Sequence, residues 1–237
     1  TERVVVVGAS GFGRESLDVL EAMRGHGSNI EILGVLDDGP SDTNRQRLEQ
    51  RDIPYLGPVL PWLARRPSDV KFVLGIGSPA IRRRLAGVLE LAGMSPLSAI
   101  HPAAVVGSRA TIGLGTVICA GAVISTNVCL GRYVHINPNA TIGHDALLHD
   151  FVSVNPAAVI SGEVRVEEGT LIGAAAVVLQ GLTVGRGVTV GASACVTRDV
   201  PDRTVVKGVP AREVDHLSAH QSDGLSNPGP LPRKDTI

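Results

Sequence analysis

The chain has 237 residues, which allows one large domain or two small ones with a properly buried core. Hydrophobic residues make up 43%, aromatics 3%, and the formal net charge is -1. A chain so close to neutral offers no electrostatic case for nucleic acid or an anionic membrane, and so few aromatics argue against a base-stacking platform.

Three cysteines, Cys119, Cys129 and Cys195, are odd in number and widely spaced. They read as reduced thiols of a cytoplasmic protein rather than as a disulfide framework. The opening TERVVVVGAS has no basic region followed by a long apolar run, so no signal peptide is expected. No stretch approaches the roughly 20 apolar residues of a membrane span.

Residues 1 to about 100 alternate strand and helix signals. RVVVVG (3–8) predicts a buried strand, and GRESLDVLEAMRGHG (13–27) has helical spacing that stops in glycines. IEILGVLDD (30–38) and VKFVLGIG (70–77) predict two more strands. Residues 39–52, GPSDTNRQRLEQRD, read as a solvated loop. Ser78 and Pro79 make a cap and first turn for AIRRRLAGVLELAG (80–93), and LSAI (97–100) reads as a short last strand. Such alternation predicts a small parallel sheet covered by helices. GASGFG (8–13) lies between the first strand and the first helix. It fits a plain tight turn, and it departs from the GxGxxG of dinucleotide folds. Glycines there let a backbone approach a ligand, and a helix N-terminus attracts phosphate.

From Val106 the pattern changes. Every sixth residue, from Val106 through Ile112, Ile118 and Ile124 to Val190 and Val196, is aliphatic, sixteen in succession. Four residues after each of the first fifteen comes a mostly small or β-branched residue, such as Ala122, Ala140 or Ala158. This is the hexapeptide repeat of a parallel β-helix, with the aliphatic residue inward and the smaller one near a corner. Stacked coils bury a core that no single coil could. The period never breaks, so no inserted loop is expected, and fifteen hexapeptides at three per coil make five coils. VVKGVPAREV (205–214) ends the repeat. A short helix is expected at about 213–221, and SDGLSNPGPLPRKDTI (222–237) reads as a flexible tail.

IGHDALLHD (142–150) carries two histidines five apart, each followed by aspartate. Zinc needs three protein ligands and an open position. Upstream, His135 and His101 lie nine and 43 residues before His144, neither a multiple of six, so no third ligand falls in phase. A general base is the second reading. His144 follows the inward Ile142 by two residues, so it should stand at the turn and point outward. Asp145 beside it could orient the ring and stabilise the imidazolium, and acyl transfer from a thioester needs one proton removed from the attacking group. Plain solvated surface is the third reading, and it is the one expected of His149 and His135.

The repeat resembles that of the left-handed β-helix acyltransferases, the hexapeptide transferases. The hand of the coil is taken from this resemblance, because crossovers ordinarily prefer the right hand. Residues 205–214 are similar to the closing segment of that superfamily. The combination of halves resembles one subfamily, the sialic acid O-acetyltransferase and bacillosamine-type nucleotide-sugar N-acetyltransferase group, over residues 3 to about 212. The matching elements are VVVVGASGFGRE, LDD at 36–38, IGS at 76–78, INPNATIGHD at 136–145 and KGVPAR at 207–212. The resemblance implies an α/β N-terminal Rossmann-like domain (1–100) that binds a nucleotide sugar. A left-handed parallel β-helix of hexapeptide repeats (101–213) follows, then a C-terminal helix and flexible tail (214–237).

The activity it implies is an acetyl-CoA-dependent N-acetyltransferase acting on the amino group of a nucleotide-linked amino sugar. His144 would be the catalytic base, with Asp145 raising its basicity. Gly162 matches the position of the backbone N–H that holds the oxyanion. Ser153 falls where close relatives have a second histidine contacting the acetyl group, a departure that would alter acyl binding. Ala174 and Ala192 lie where the coenzyme A arm runs along the coils, although corner packing explains both alanines equally well. Ser10, Gly11, Phe12, Asp37, Asp38 and Gly77 are carried over as the nucleotide-sugar site. Relatives often have histidine in place of Phe12, so one polar contact is expected to be missing here. A homotrimer is implied, with the acyl donor between neighbouring β-helices and His144 of one subunit serving a sugar held by another. Neither a metal nor a nucleic acid or membrane partner is expected. O-acetylation of a sialic-acid-type sugar, and a non-catalytic nucleotide-sugar-binding scaffold, remain the alternative readings.

Overall fold

The computed structural model describes residues 1–65 and 68–216. The N-terminal part holds strands β1 (Glu2–Val7), β2 (Ile30–Leu36), β3 (Tyr55–Gly57), β4 (Val70–Leu74) and β5 (Ser95–Pro96). Its helices are α1 (Gly11–Gly25), α2 (Asp42–Glu49), α3 (Val59–Leu63) and α4 (Pro79–Leu91). The strands form one parallel sheet in the order β3-β2-β1-β4-β5. Val4 to Val7 are buried on both faces of the sheet, as a continuous apolar run requires under helices on either side. Ser78 caps α4 by accepting from the Ile81 N–H, with Pro79 at the first helical position.

Four expectations change. Residues 42–49 are helical, not loop. Ser41 caps α2 by accepting from the Asn44 N–H, and Leu48 is the one buried residue, so the helix has almost no apolar stripe for periodicity to reveal. Strand β3 and helix α3 lie where no element was foreseen. The last strand of the sheet is β5, while β6 (Ala99–Ile100) pairs with Val117–Ile118 and so opens the β-helix. Finally, residues 212–216 are not helical. Strand β23 (Thr204–Lys207) turns back into the antiparallel β24 (Arg212–His216). The rest of the expected helix, and the tail at 222–237, lie outside the described residues.

Strands β7 to β22 run from Val105–Val106 to Cys195–Val196, two residues each at six-residue intervals. Every one of the sixteen aliphatic positions is the second residue of such a strand. Pairing is parallel and in register one coil on, for example Thr141 with Val159 and Ile142 with Ile160, so a coil is eighteen residues. The left-handed β-helix has three faces. The first carries Ile124, Ile142 and Ile160, the second Leu130, Leu148 and Val166, and the third Ile118, Ile136 and Val154. Inward residues such as Ile142 are wholly buried, and each such burial stabilises by roughly 2 kcal/mol.

Every sixth residue from 109 to 193 sits at a corner with φ between 55 and 74°. Five of these are glycine, and ten, including Asn127, Asp145 and Glu163, are not. A side chain in that region costs on the order of 1 kcal/mol, least for Asn and Asp. The coil offsets the cost with hydrogen bonds between turns, since Asp145 N–H donates to the Thr126 carbonyl (3.1 Å) and Glu163 N–H to the His144 carbonyl (2.8 Å).

The N-terminal sheet and its helices rest on the third face and on the corner between the second and third. Ala99, Val117 and Cys119 pack with Val4, Leu17 and Leu97, and Tyr133 and Phe151 pack with Phe72 and Trp62. Among the described residues no helix is long and apolar enough to cross a membrane.

Candidate active site

His144 stands at the corner between the first and second faces, just past the inward Ile142. The side chains of His144 and Asp145 are half-exposed, at 50% and 45%. His144 Nδ1 lies 2.7 Å from Asp145 Oδ2, and the other oxygen, Oδ1, accepts from Asn127 Nδ2 at 2.9 Å. The hydrogen bonds from Asn127 and from His144 hold the Asp145 carboxyl below its usual range. An ionised carboxylate only accepts. The network therefore assigns the proton to Nδ1 and leaves Nε2 with a free lone pair.

Gly162 is one coil beyond His144 in the same column and is buried beneath the ring. A Cβ built on Gly162 would lie 2.5 Å from both His144 Cε1 and Nε2. A side chain there would have to displace the ring. The edge of the ring that carries the free lone pair thus lies directly over the Gly162 backbone. His144 and Gly162 therefore occupy one corner, as a separation of eighteen residues requires. Ala174 and Ala192 are likewise one coil apart, at the corner between the third and first faces. Ser193 N–H donates to the Ala174 carbonyl (2.8 Å), and a Cβ on Gly173 would meet Ala192 N at 2.6 Å. Gly173 is buried between the coils, Ala174 is half-buried and Ala192 is exposed on that edge.

At the other end, the carboxyl ends of β1, β2 and β4 frame a cleft of about 180 Å³ lined by Gly8, Asp37, Asp38, Val59, Ile76, Ile81 and Arg84. Strand order reverses between β1 and β4, where open α/β sheets bind ligands. Asp37 holds the loops around the cleft. Its Oδ2 accepts from Ala9 N–H (2.8 Å) and its Oδ1 from Gly39 N–H (2.9 Å). Asp38 Oδ1 accepts from Val59 N–H at 2.9 Å. Ser10 is the residue before α1, exposed and making no side-chain cap, and the first turn of α1 carries no acidic residue. That leaves the positive end of the helix open to an anion. Gly11 is exposed as well, and a Cβ there would touch nothing. Gly8 and Gly13 answer to packing instead. A Cβ on Gly13 would sit 1.8 Å from the Gly8 carbonyl oxygen, and Gly8 itself has φ 111°.

Between the two regions lies a polar clamp that the sequence reading missed. Arg82 on α4 is fully buried. Its guanidinium donates to the carbonyls of Ile76 (2.9 Å), Gly77 (3.2 Å), Tyr133 (3.0 Å), Phe151 (2.7 Å) and Val152 (3.3 Å), and to Ser153 Oγ (3.0 Å). Burial lowers its pKa to about 9, so it stays charged at neutral pH. Ser153 is buried here on the third face, and its hydroxyl donates to the Gly77 carbonyl at 3.4 Å. The structure therefore does not bring Ser153 to the His144 of its own chain. Nor does it bring the cleft there, because the corner holding His144 is the vertex opposite the third face.

His135, expected on the surface, is wholly buried at this same junction. It stacks on Phe12 with ring centroids 4.3 Å apart, and neither ring nitrogen has a hydrogen-bond partner. Burial, and then the nearby Arg82 charge, push its pKa well down, while a Leu74 backbone interaction pulls the other way. It is the first residue of its strand and points away from the coil core. On a free solenoid that means solvent, but here the N-terminal domain covers it. His149 is partly exposed and lies 3.6 Å from Glu167, one coil on. Among the described residues no group of three or more His, Cys, Asp or Glu side chains is arranged to hold a metal ion. Asn127 was also missed. Its signal was the coil period itself, since it lies eighteen residues before Asp145.

Residues 3–89 match the PglD N-terminal domain. No curated protein matches by sequence. Among solved structures, the acetyltransferase domain of PglB from Neisseria gonorrhoeae is 32% identical with a TM-score of 0.78, covering 90% of this chain and 100% of that one. PerB from Caulobacter crescentus, solved with CoA and GDP-perosamine, is 29% identical with a TM-score of 0.80, covering 90% and 97%. WeeI from Acinetobacter baumannii is 26% identical with a TM-score of 0.78, covering 90% and 100%.

Proposed function

Because the chain belongs to the bacillosamine-type nucleotide-sugar N-acetyltransferases of the hexapeptide-repeat family, we propose that it moves an acetyl group from acetyl-CoA to the amine of a nucleotide-linked amino sugar. His144 is the base in this reading. The sugar nitrogen attacks the thioester carbonyl carbon while its proton passes to His144 Nε2. The resulting oxyanion is met by the Gly162 N–H. As the C–S bond breaks, the thiolate takes the proton back from His144, and no covalent enzyme intermediate is needed.

The observation that carries this is the placing of the His144 ring on Gly162, with Asp145 on the opposite nitrogen. The relative from Caulobacter crescentus was solved with CoA and a nucleotide-linked amino sugar, and a second structure of the Neisseria gonorrhoeae domain holds acetyl coenzyme A. On this chain the nucleotide sugar is assigned to the cleft around Asp38 and the N-terminus of α1, and the coenzyme A arm to the edge of the coil that carries Ala174 and Ala192. A cleft on the side of the coil opposite its own His144 supports a homotrimer in which each base serves a neighbour's sugar.

Mass spectrometry of acetyl-CoA reactions with a panel of nucleotide amino sugars, plus free sialic acid, tests the chemistry. One acetyl group gained on an amino-sugar nucleotide is the expected result. A gain on sialic acid alone would move the enzyme to O-acetylation. His144→Ala should lower turnover by about 10² to 10⁴-fold with an unchanged melting temperature. Wild-type rates in that variant would remove His144 from the mechanism.

A further inference from the structure

We propose that Asn127 is a positioning residue for the transfer reaction, holding Asp145 so that its second oxygen meets His144. The inference rests on His144 being the base.

Asn127 and Asp145 are stacked one coil apart, with nearly the same backbone conformation (φ 58° and 60°). Adjacent strands lie about 4.8 Å apart, so two short side chains leaving in parallel fall within hydrogen-bond reach. The Asn127 amide donates to Oδ1 at 2.9 Å, while Oδ2 accepts from His144 at 2.7 Å. Both backbones are pinned by the coil, Asn127 N–H to the Ser108 carbonyl (3.0 Å) and Asp145 N–H to the Thr126 carbonyl (3.1 Å).

A simpler explanation for asparagine is that it tolerates positive φ. The same column argues otherwise, since Arg109 and Glu163 adopt that conformation on the coils either side (φ 60° and 59°). The corner does not require asparagine, whereas a half-exposed carboxylate does need an anchor. Left free, Asp145 could rotate to water and release Nδ1, and Nε2 would lose its fixed tautomer and direction. Asn127 neither titrates nor touches the reacting atoms, so its effect passes through Asp145. Asn127 contacts the Asp145 carboxylate, which in turn contacts His144, and Arg109 and Glu163 are the charged neighbours in the column.

The test compares Asn127→Gly, which keeps the backbone conformation at no steric cost, with Asp145→Asn, the double variant, and Arg109→Gly as a control for the corner. Turnover, both KM values, the pH profile and the melting temperature are measured on the full-length chain. Asn127→Gly should lower kcat about tenfold, within the range for residues that orient a ligating or catalytic group. Both KM values should stay within about twofold, and the melting temperature should match that of Arg109→Gly, because the changed group is a solvent-exposed anchor. In the Asp145→Asn background the same substitution should change kcat by less than about twofold, because the partner it acts through is already gone. Asn127→Asp should move the acid limb of the kcat/KM profile upward, by up to about one pH unit, since a second carboxylate favours the imidazolium. An unchanged kcat in Asn127→Gly, or equal losses in both backgrounds, would overturn the proposal while leaving His144 as the base. Full turnover in His144→Ala would overturn both.

Discussion

Gly162 and Gly13 are both glycines where a Cβ would collide with a neighbour, yet they teach different lessons. Gly162 is closed by the ring of His144, eighteen residues earlier, because eighteen residues make one coil. Gly13 is closed by the Gly8 carbonyl and lies against Gly75, because β1 runs beside β4 in the sheet. In the β-helix, then, spatial neighbours follow from counting. In the α/β domain they follow from strand order and from how a helix settles on the sheet, and counting says nothing about either. The difference bears on function. His144, Asp145 and Gly162 share one corner of the solenoid, whereas the cleft is assembled from loops after β1, β2 and β4.

The contrast is most exposed to failure at Gly162. Gly162→Ala should push the His144 ring from its place, and a displacement of about 1 Å is enough to cost about 100-fold in kcat. A steady-state assay against an unchanged melting curve would isolate that effect. Near-normal turnover would mean that the ring does not work where the coil places it.

Arg82 joins the two regions, so Arg82→Met tests whether they act as one body. Removing the guanidinium strands several buried carbonyls, and unfolding free energy should fall by about 3 kcal/mol in urea titrations. Gly77 would lose its tether, so KM for the nucleotide sugar should rise more than KM for acetyl-CoA. Equal changes in the two KM values would show that the clamp stabilises the fold without shaping the cleft.

His135 gives the smallest and most pH-specific effect. Its folded pKa is depressed, so the neutral ring's contribution is intact above the unfolded value of about 6.5 and is lost as pH falls toward the folded value. His135→Leu removes the titrating group and two unpartnered nitrogens. The variant should melt at or above the wild-type temperature at pH 7, and should lose less stability between pH 6.5 and pH 5. An acid limb identical to that of the parent chain would place the titrating group elsewhere.

Legibility followed the same divide. The sixteen aliphatic positions mark the sixteen two-residue strands β7 to β22, and the outward placement of His144 follows from its distance to Ile142. Helix α2 stayed hidden because only Leu48 is buried. The cap at Ser41 was readable, but solvent-facing helices carry little else to read. Residues 212–216 pair with β23 as a strand, an arrangement made by a tertiary partner rather than by local preference.

The sequence by itself determined the coil, its period, the corner histidine with its aspartate, and the α/β order before it. It could do so because each is a local or periodic property, repeated until chance is excluded. Only the tertiary structure decided that His135 is buried, that Ser153 answers to Arg82, and that the cleft lies on the side of the coil opposite His144. Burial of an outward-pointing residue depends on what docks against that face. No period within one half of the chain encodes the surface of the other.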